Sequence, residues 1–220
     1  MKKGFLYLNN ILALWVIPIS ADLREISLQE QEWAKRLTIK RAKQFHHSRG
    51  YVRESLSELW DFPPLEIPLY APPGQPPRLD KGWGYVSFSH CSDCLFIGWS
   101  PRPIGVDVEK ANRKFKINKL VDRLFSESEI KKLNSLTKEE KRSMFLKLWV
   151  IKEASIKFHR GSIFKDFISW NVDFIQKKGF HQTLGNEVNW HTFNYQHWIM
   201  AIALDKRTNN SYPIFCNKII

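Results

Sequence analysis

The chain has 220 residues, with 34 Lys+Arg against 22 Asp+Glu for a formal net charge of +12. Its 43% hydrophobic and 14% aromatic content can fill the core of one domain or two small ones, which excludes a largely disordered chain. No apolar run reaches the roughly 18 residues of a membrane-spanning helix, and three cysteines are too few for a disulfide scaffold, so a cytoplasmic protein is expected.

Lys2 and Lys3 ahead of the apolar stretch Ile11 to Ile19, with Ser20 and Ala21 behind it, resemble a signal peptide. Asn9 and Asn10 interrupt that pattern, and the stretch reads better as a buried first strand centred on Ala13 to Ile17. Ser27 to Leu59 reads as helix, because Trp33, Leu37, Phe45, Val52, Leu56 and Leu59 recur mostly at multiples of three or four. Asp61 to Pro77 holds seven of the eleven prolines and reads as an extended connector. Tyr85 to Phe88 and Leu95 to Trp99 read as strands around a polar turn, followed by a third strand over Ile104 to Val108.

Lys116 to Phe158 reads as mostly helical. Ser126-x-x-Glu129 is a capping-box pattern that starts one helix, and Phe145, Leu148, Ile151, Ser155 and Phe158 share a face of the next. Strands are expected again over Phe167 to Phe174, Val188 to Phe193 and Trp198 to Leu204. This order divides the chain into an N-terminal α+β half, residues 1–104, and a C-terminal α+β half, residues 105–220. The segment Lys110 to Lys157 holds 14 Lys+Arg and 6 Asp+Glu, a surplus of 8 that is either a solvated helical face or a surface for an anionic partner.

Three groups of residues carry potential chemistry. Asp107 and Glu109 flank Val108 on a strand, where residues i and i+2 share a face. Trp149, Glu153 and Lys157 are spaced i, i+4, i+8 on one face of a helix. Alone, the first pair reads as solvated strand-end carboxylates, and Glu153 with Lys157 as a weak helical ion pair. Together, three carboxylates and a lysine match the donors that a hard divalent cation and a phosphate require. Ser89 and His90, ending a strand, supply a hydroxyl and an imidazole that suit a phosphate.

In this order, Phe88-Ser89-His90, Gly105-Val106-Asp107-Val108-Glu109, Phe125-Ser126-x-x-Glu129 and Trp149-x-x-Lys152-Glu153-Ala154-x-x-Lys157 resemble the 4′-phosphopantetheinyl transferases, in their long monomeric form. Arg49-x-x-x-Arg53 and Gly74-Gln75-Pro76 also fall where that family has an arginine-bearing helix and a Gly-Lys-Pro turn.

The resemblance implies an α+β fold, with a pseudo-twofold arrangement of two similar α+β halves and the active site in the cleft between them. It implies transfer of the 4′-phosphopantetheine arm of coenzyme A to a serine of an apo acyl or peptidyl carrier protein, with release of 3′,5′-ADP. Asp107, Glu109 and Glu153 would hold Mg²⁺, Glu153 would act as base, and Lys157 would stabilise the departing phosphate oxygen. Ser89, His90, Arg36, Arg49 and Gln75 would contact coenzyme A. An acidic carrier protein is the expected partner of the basic segment, with Lys110 to Arg123 as its docking surface; neither nucleic acid nor membrane is expected, and the expected state is a monomer.

The sequence also departs from the family pattern. Gln75 replaces the lysine of the Gly-Lys-Pro turn, Trp33 stands where a basic residue for the 3′-phosphate is common, and Ser87 and Cys91 replace an asparagine and a serine around Ser89-His90. These changes bear on coenzyme A affinity, with Lys35 or Arg36 available to compensate for Trp33. Cys91-Ser92-Asp93-Cys94 has the spacing of a redox pair or half a zinc site. The strand-like residues that follow, and the lack of a second paired motif, weigh against both. The alternatives are a basic nucleic-acid-binding protein, for which a recognition motif is missing, and a carrier-binding homologue without catalysis.

Overall fold

The computed structural model describes residues 11–19, 22–115, 117–206 and 213–215. Residues 1–10, Ser20, Ala21, Lys116 and Cys216, which enter the readings above, lie outside that set. The fold is α+β, as expected, and divides into two compact units: Met1–Pro101 with Asn210–Ile220, and Arg102–Asn209.

In the first unit, β1 (Leu12–Pro18), β4 (Tyr85–His90), β5 (Cys94–Ser100) and β11 (Pro213–Phe215) form a sheet in the order β11-β1-β5-β4. The β1–β11 pair is parallel and the others antiparallel. Ala13, Trp15 and Ile17 of β1 share a buried cluster with Leu95, Ile97 and Trp99 of β5 and with Tyr51, Val52 and Leu56. These last three lie on α2 (Ile39–Trp60).

The expected single helix is two, because α1 (Leu28–Lys35) ends before Thr38, which adopts the extended conformation of a helix N-cap residue. Ser27 and Glu30 form a capping box at the start of α1. Glu30 also binds the buried Arg53 guanidinium, at 2.7 Å from its Nε.

The proline-rich connector contains a short 3₁₀ turn (Pro64–Glu66), which a proline at the first position tolerates, and β2 (Leu69–Tyr70), which pairs with β3 (Arg78–Leu79). Its carbonyls need donors once buried. Arg53 donates to the carbonyls of Pro64, Ile67 and Leu69, and Arg49 donates twice to that of Ala71.

In the second unit, β6 (Ile104–Lys110), β7 (Trp170–Asp173), β8 (Lys178–His181), β9 (Glu187–Tyr195) and β10 (Trp198–Leu204) form an antiparallel sheet in the order β6-β10-β9-β8-β7. The expected strand over Phe167 to Phe174 is shorter, because Phe167 to Ser169 form a turn after α6 (Ile163–Asp166). The basic segment forms α3 (Ile117–Leu124), α4 (Glu127–Asn134) and α5 (Lys138–His159). The capping box expected at Ser126 and Glu129 is present, and Thr137 with Glu140 forms another ahead of α5. Phe145, Leu148, Ile151 and Ala154 of α5 pack in one cluster with Trp170, Val188, Trp190, Ala201 and Ala203.

Candidate active site

Small residues on the sheet let α5 come close to it. Ala203 and Ala201 of β10 face Gly105 and Asp107 of β6, and all four share one side of the sheet. A Cβ on Gly105 would collide with the Ala154 carbonyl oxygen and the Phe158 backbone nitrogen. The helix backbone therefore touches the strand there, and one residue pair further along β6 the side chains that face α5 are acidic.

Asp107 is 2% exposed, and its Oδ1 accepts a hydrogen bond from Lys157 Nζ at 2.7 Å. The same ammonium lies 3.8 Å from Glu153 Oε2, one turn back along α5. Glu109, two residues beyond Asp107 and 7% exposed, is paired with Arg113 from the turn after β6. The Arg113 guanidinium stands 4.3 Å from the ring centre of Phe115, which packs at 5.2 Å on Trp149. Thus Trp149 belongs to the aromatic core that supports this corner, while Glu153 and Lys157 reach its partly exposed edge.

Three carboxyl groups and two cations in this region leave one excess negative charge when all are ionised. That crowding has an electrostatic consequence. Burial, and then the charge of Asp107, push the Glu153 carboxyl up to about 7, against the opposing pull of Lys157 and Arg113. Carboxylate oxygens with surplus negative charge fit a hard divalent cation by donor chemistry. Among the described residues, no three His, Cys, Asp or Glu side chains are grouped as a metal cluster, and the cationic groups at the carboxylates are Lys157 and Arg113.

The residues expected to contact coenzyme A belong to the first unit. Ser89 is buried and His90 exposed at the end of β4. Arg36 is exposed at the end of α1, and Gln75 is exposed between β2 and β3. Arg49 is 8% exposed: it donates to the Ala71 carbonyl and to Ser48 Oγ, and its guanidinium covers the rings of Phe45 and Phe88. Burial lowers its pKa to about 10.

Arg113 was not singled out by sequence. Its spacing of four from Glu109 resembles a helical pair, but the two meet across a turn in which Arg113 N–H donates to the Lys110 carbonyl. Glu129 and Lys152 were visible as motif positions, and the structure joins them. Lys152 is fully buried with Nζ 2.6 Å from Glu129 Oε2.

Two comparisons with known proteins bear on this corner. A Synechocystis sp. protein named as a candidate 4′-phosphopantetheinyl transferase is 28% identical over 154 residues, 66% of this chain. The chain spans 63% of that relative's length. The family model described as the 4′-phosphopantetheinyl transferase superfamily matches residues 103–214, a span that starts at the strand carrying Asp107 and Glu109 and includes all of α5. By that match, over half its length, the chain belongs to the 4′-phosphopantetheinyl transferase superfamily.

Proposed function

We propose that this chain transfers the 4′-phosphopantetheine arm of coenzyme A to a serine hydroxyl of an apo acyl or peptidyl carrier protein, in a Mg²⁺-dependent reaction that releases 3′,5′-ADP. The observation that carries this reading is the Asp107–Lys157–Glu153 arrangement inside the span matched by the family model.

Phosphoryl transfer depends on placement and charge neutralisation more than on covalent help from the protein. Asp107, Glu109 and Glu153 would hold the cation, which when bound would neutralise charge on the pyrophosphate. A carboxyl near pH 7 is suited to accept a proton at neutral pH, so Glu153 is assigned as the base for the carrier serine, directly or through water. Lys157, whose side chain is 26% exposed, sits beside the carboxylates and stabilises the departing phosphate oxygen. Ser89, His90, Arg36, Arg49 and Gln75 are assigned to coenzyme A, with Arg49 acting through its hold on Ala71. The basic surface at Lys110 to Arg123 is assigned to the acidic carrier protein, where opposite charge accelerates encounter.

The test is the intact mass of apo carrier proteins after incubation with the chain, coenzyme A and Mg²⁺, with EDTA as control. A gain of one phosphopantetheine that EDTA abolishes is expected. Coenzyme A binding without transfer to any of several carriers would favour a carrier-binding homologue. Absence of coenzyme A binding, with salt-sensitive binding to nucleic acid, would overturn the reading.

A further inference from the structure

The pair Cys91 and Cys94 plays no part in the proposed transfer. The β4–β5 register pairs His90 with Leu95, so Cys91 and Cys94 are the next facing positions, across a turn of Ser92 and Asp93. Cys91 N–H donates to the Cys94 carbonyl at 2.9 Å, which closes this turn. Ile19 N–H donates to the Asp93 carbonyl at 2.9 Å and ties the turn to the strand end next to it. Facing residues in such a pair have Cα atoms about 5.5 Å apart, within the range that a disulfide spans.

The thiols are unequally exposed. Cys94 is fully buried, whereas Cys91 is half-buried at the turn. The Cys91 thiol donates to Asp93 Oδ1 at 3.3 Å, within the same turn. A half-buried cysteine facing a fully buried one across a closed turn is the layout of an attacking and a resolving cysteine. The neighbouring Cys94 side chain holds the Cys91 thiol below its ordinary range, against burial and the Asp93 carboxylate, which push it up; the Cys91 side chain and burial push Cys94 up. The pair sits in a hairpin turn and not at a helix N-terminus, and the facing register brings the two cysteines within reach of one bond.

We infer that Cys91 and Cys94 form a thiol–disulfide exchange site whose substrates are small disulfides. The Cys91 thiolate attacks one sulfur of the disulfide, forming a mixed disulfide and expelling one thiolate, which takes up a proton. Cys94, on losing its proton, then attacks Cys91 Sγ. The Cys91–Cys94 bond forms, the second small thiol leaves, and two electrons pass from the protein to the disulfide. Closure across a hydrogen-bonded facing pair strains the turn, and strained bridges are the readily reduced ones.

The experiment uses the full chain carrying Cys216→Ser, equilibrated with reduced and oxidised glutathione over a range of ratios, quenched by alkylation and read by intact mass and peptide mapping. The expected result is a reversible loss of two hydrogens mapped to Cys91 and Cys94. In the same background, Cys94→Ser is expected to stop at a mixed disulfide of one glutathione on Cys91, and Cys91→Ser to give neither product at Cys94. Alkylation of both cysteines at every ratio would overturn the inference. So would a mixed disulfide on Cys91 that never proceeds to closure in the chain retaining Cys94. Because the Cys216→Ser chain itself gives the deciding mass, the result stands even where Cys94→Ser folds poorly.

Discussion

Lys157 Nζ lies 2.7 Å from Asp107 Oδ1 and 3.8 Å from Glu153 Oε2, so one ammonium bridges a strand and a helix whose carboxylates would otherwise repel. Lys157→Met leaves those two carboxylates facing each other. Lys157 is 26% exposed but Asp107 is buried, so the variant leaves a buried carboxylate without its cation and should cost about 1–3 kcal/mol. The expected outcome is a lowered melting temperature in a chain that still folds, with transfer reduced by about 10²–10⁴-fold. Parallel thermal melts and carrier-modification rates check it, and parent-like transfer would remove Lys157 from the reaction.

Glu153→Gln keeps the size of the side chain and relieves the crowding with Asp107. The expected result is folding stability equal to or slightly above the parent's, with transfer abolished. Denaturant unfolding beside a transfer assay separates the two effects. Turnover at the parent rate would show that the base lies elsewhere.

Gly105 tests the support of the site. An alanine methyl there meets backbone atoms of Ala154 and Phe158, which cannot swing aside as a side chain would. Gly105→Ala should cost about 1–3 kcal/mol or more by overpacking. It should also weaken transfer, because moving α5 off β6 separates Lys157 from Asp107. Urea midpoints give the first number and initial rates the second; an unchanged midpoint would mean that the helix can shift without cost.

How much of this was legible in the sequence depended on the range of the interaction. Ser126 and Glu129 announce their helix because capping is a contact over three residues. Asp107 with Glu109, and Glu153 with Lys157, follow from strand and helix periods, so their shared faces could be read directly. The break at Thr38 could not, since the apolar spacing runs through it. Nor could β8: Lys178-Gly179-Phe180-His181 has little strand pattern and is held between β7 and β9 by pairing. Arg49 shows the limit most clearly. Its acceptor Ala71 is 22 residues away in the proline-rich connector, a distance at which no local pattern operates.

The buried pair Lys152 and Glu129 gives a sharper stability test. Lys152 is fully buried, Glu129 is 7% exposed, and the Glu129 carboxylate also accepts from Ser126 N–H at the start of α4. Removing one partner leaves a buried charge, so Lys152→Met should cost about 3–5 kcal/mol. Lys152→Met with Glu129→Leu should recover much of that, short of the roughly 1 kcal/mol contributed by the cap. A double-mutant cycle in urea measures the coupling. Simple additivity would show that the ion pair contributes no coupling.

His47 sets an expected acid limit in the first unit. It is 4% exposed, its ring packs 4.6 Å from that of Tyr51, and burial followed by the charge of Arg24 lowers its pKa below 6.5. The folded chain therefore binds this proton less readily than the unfolded chain. Stability from this group is fully present above pH 6.5 and declines as pH falls from there toward the lowered folded value, because the unfolded state takes up the proton first. His47→Phe keeps a ring against Tyr51 and removes the titration. The expected result is that the parent loses stability more steeply than His47→Phe as pH falls below 6.5, while the two curves run parallel above it. Urea midpoints from pH 8 to pH 5 measure the difference, and the carboxylates common to both chains cancel. Parallel curves throughout would show that His47 takes up its proton equally in the folded and unfolded chain.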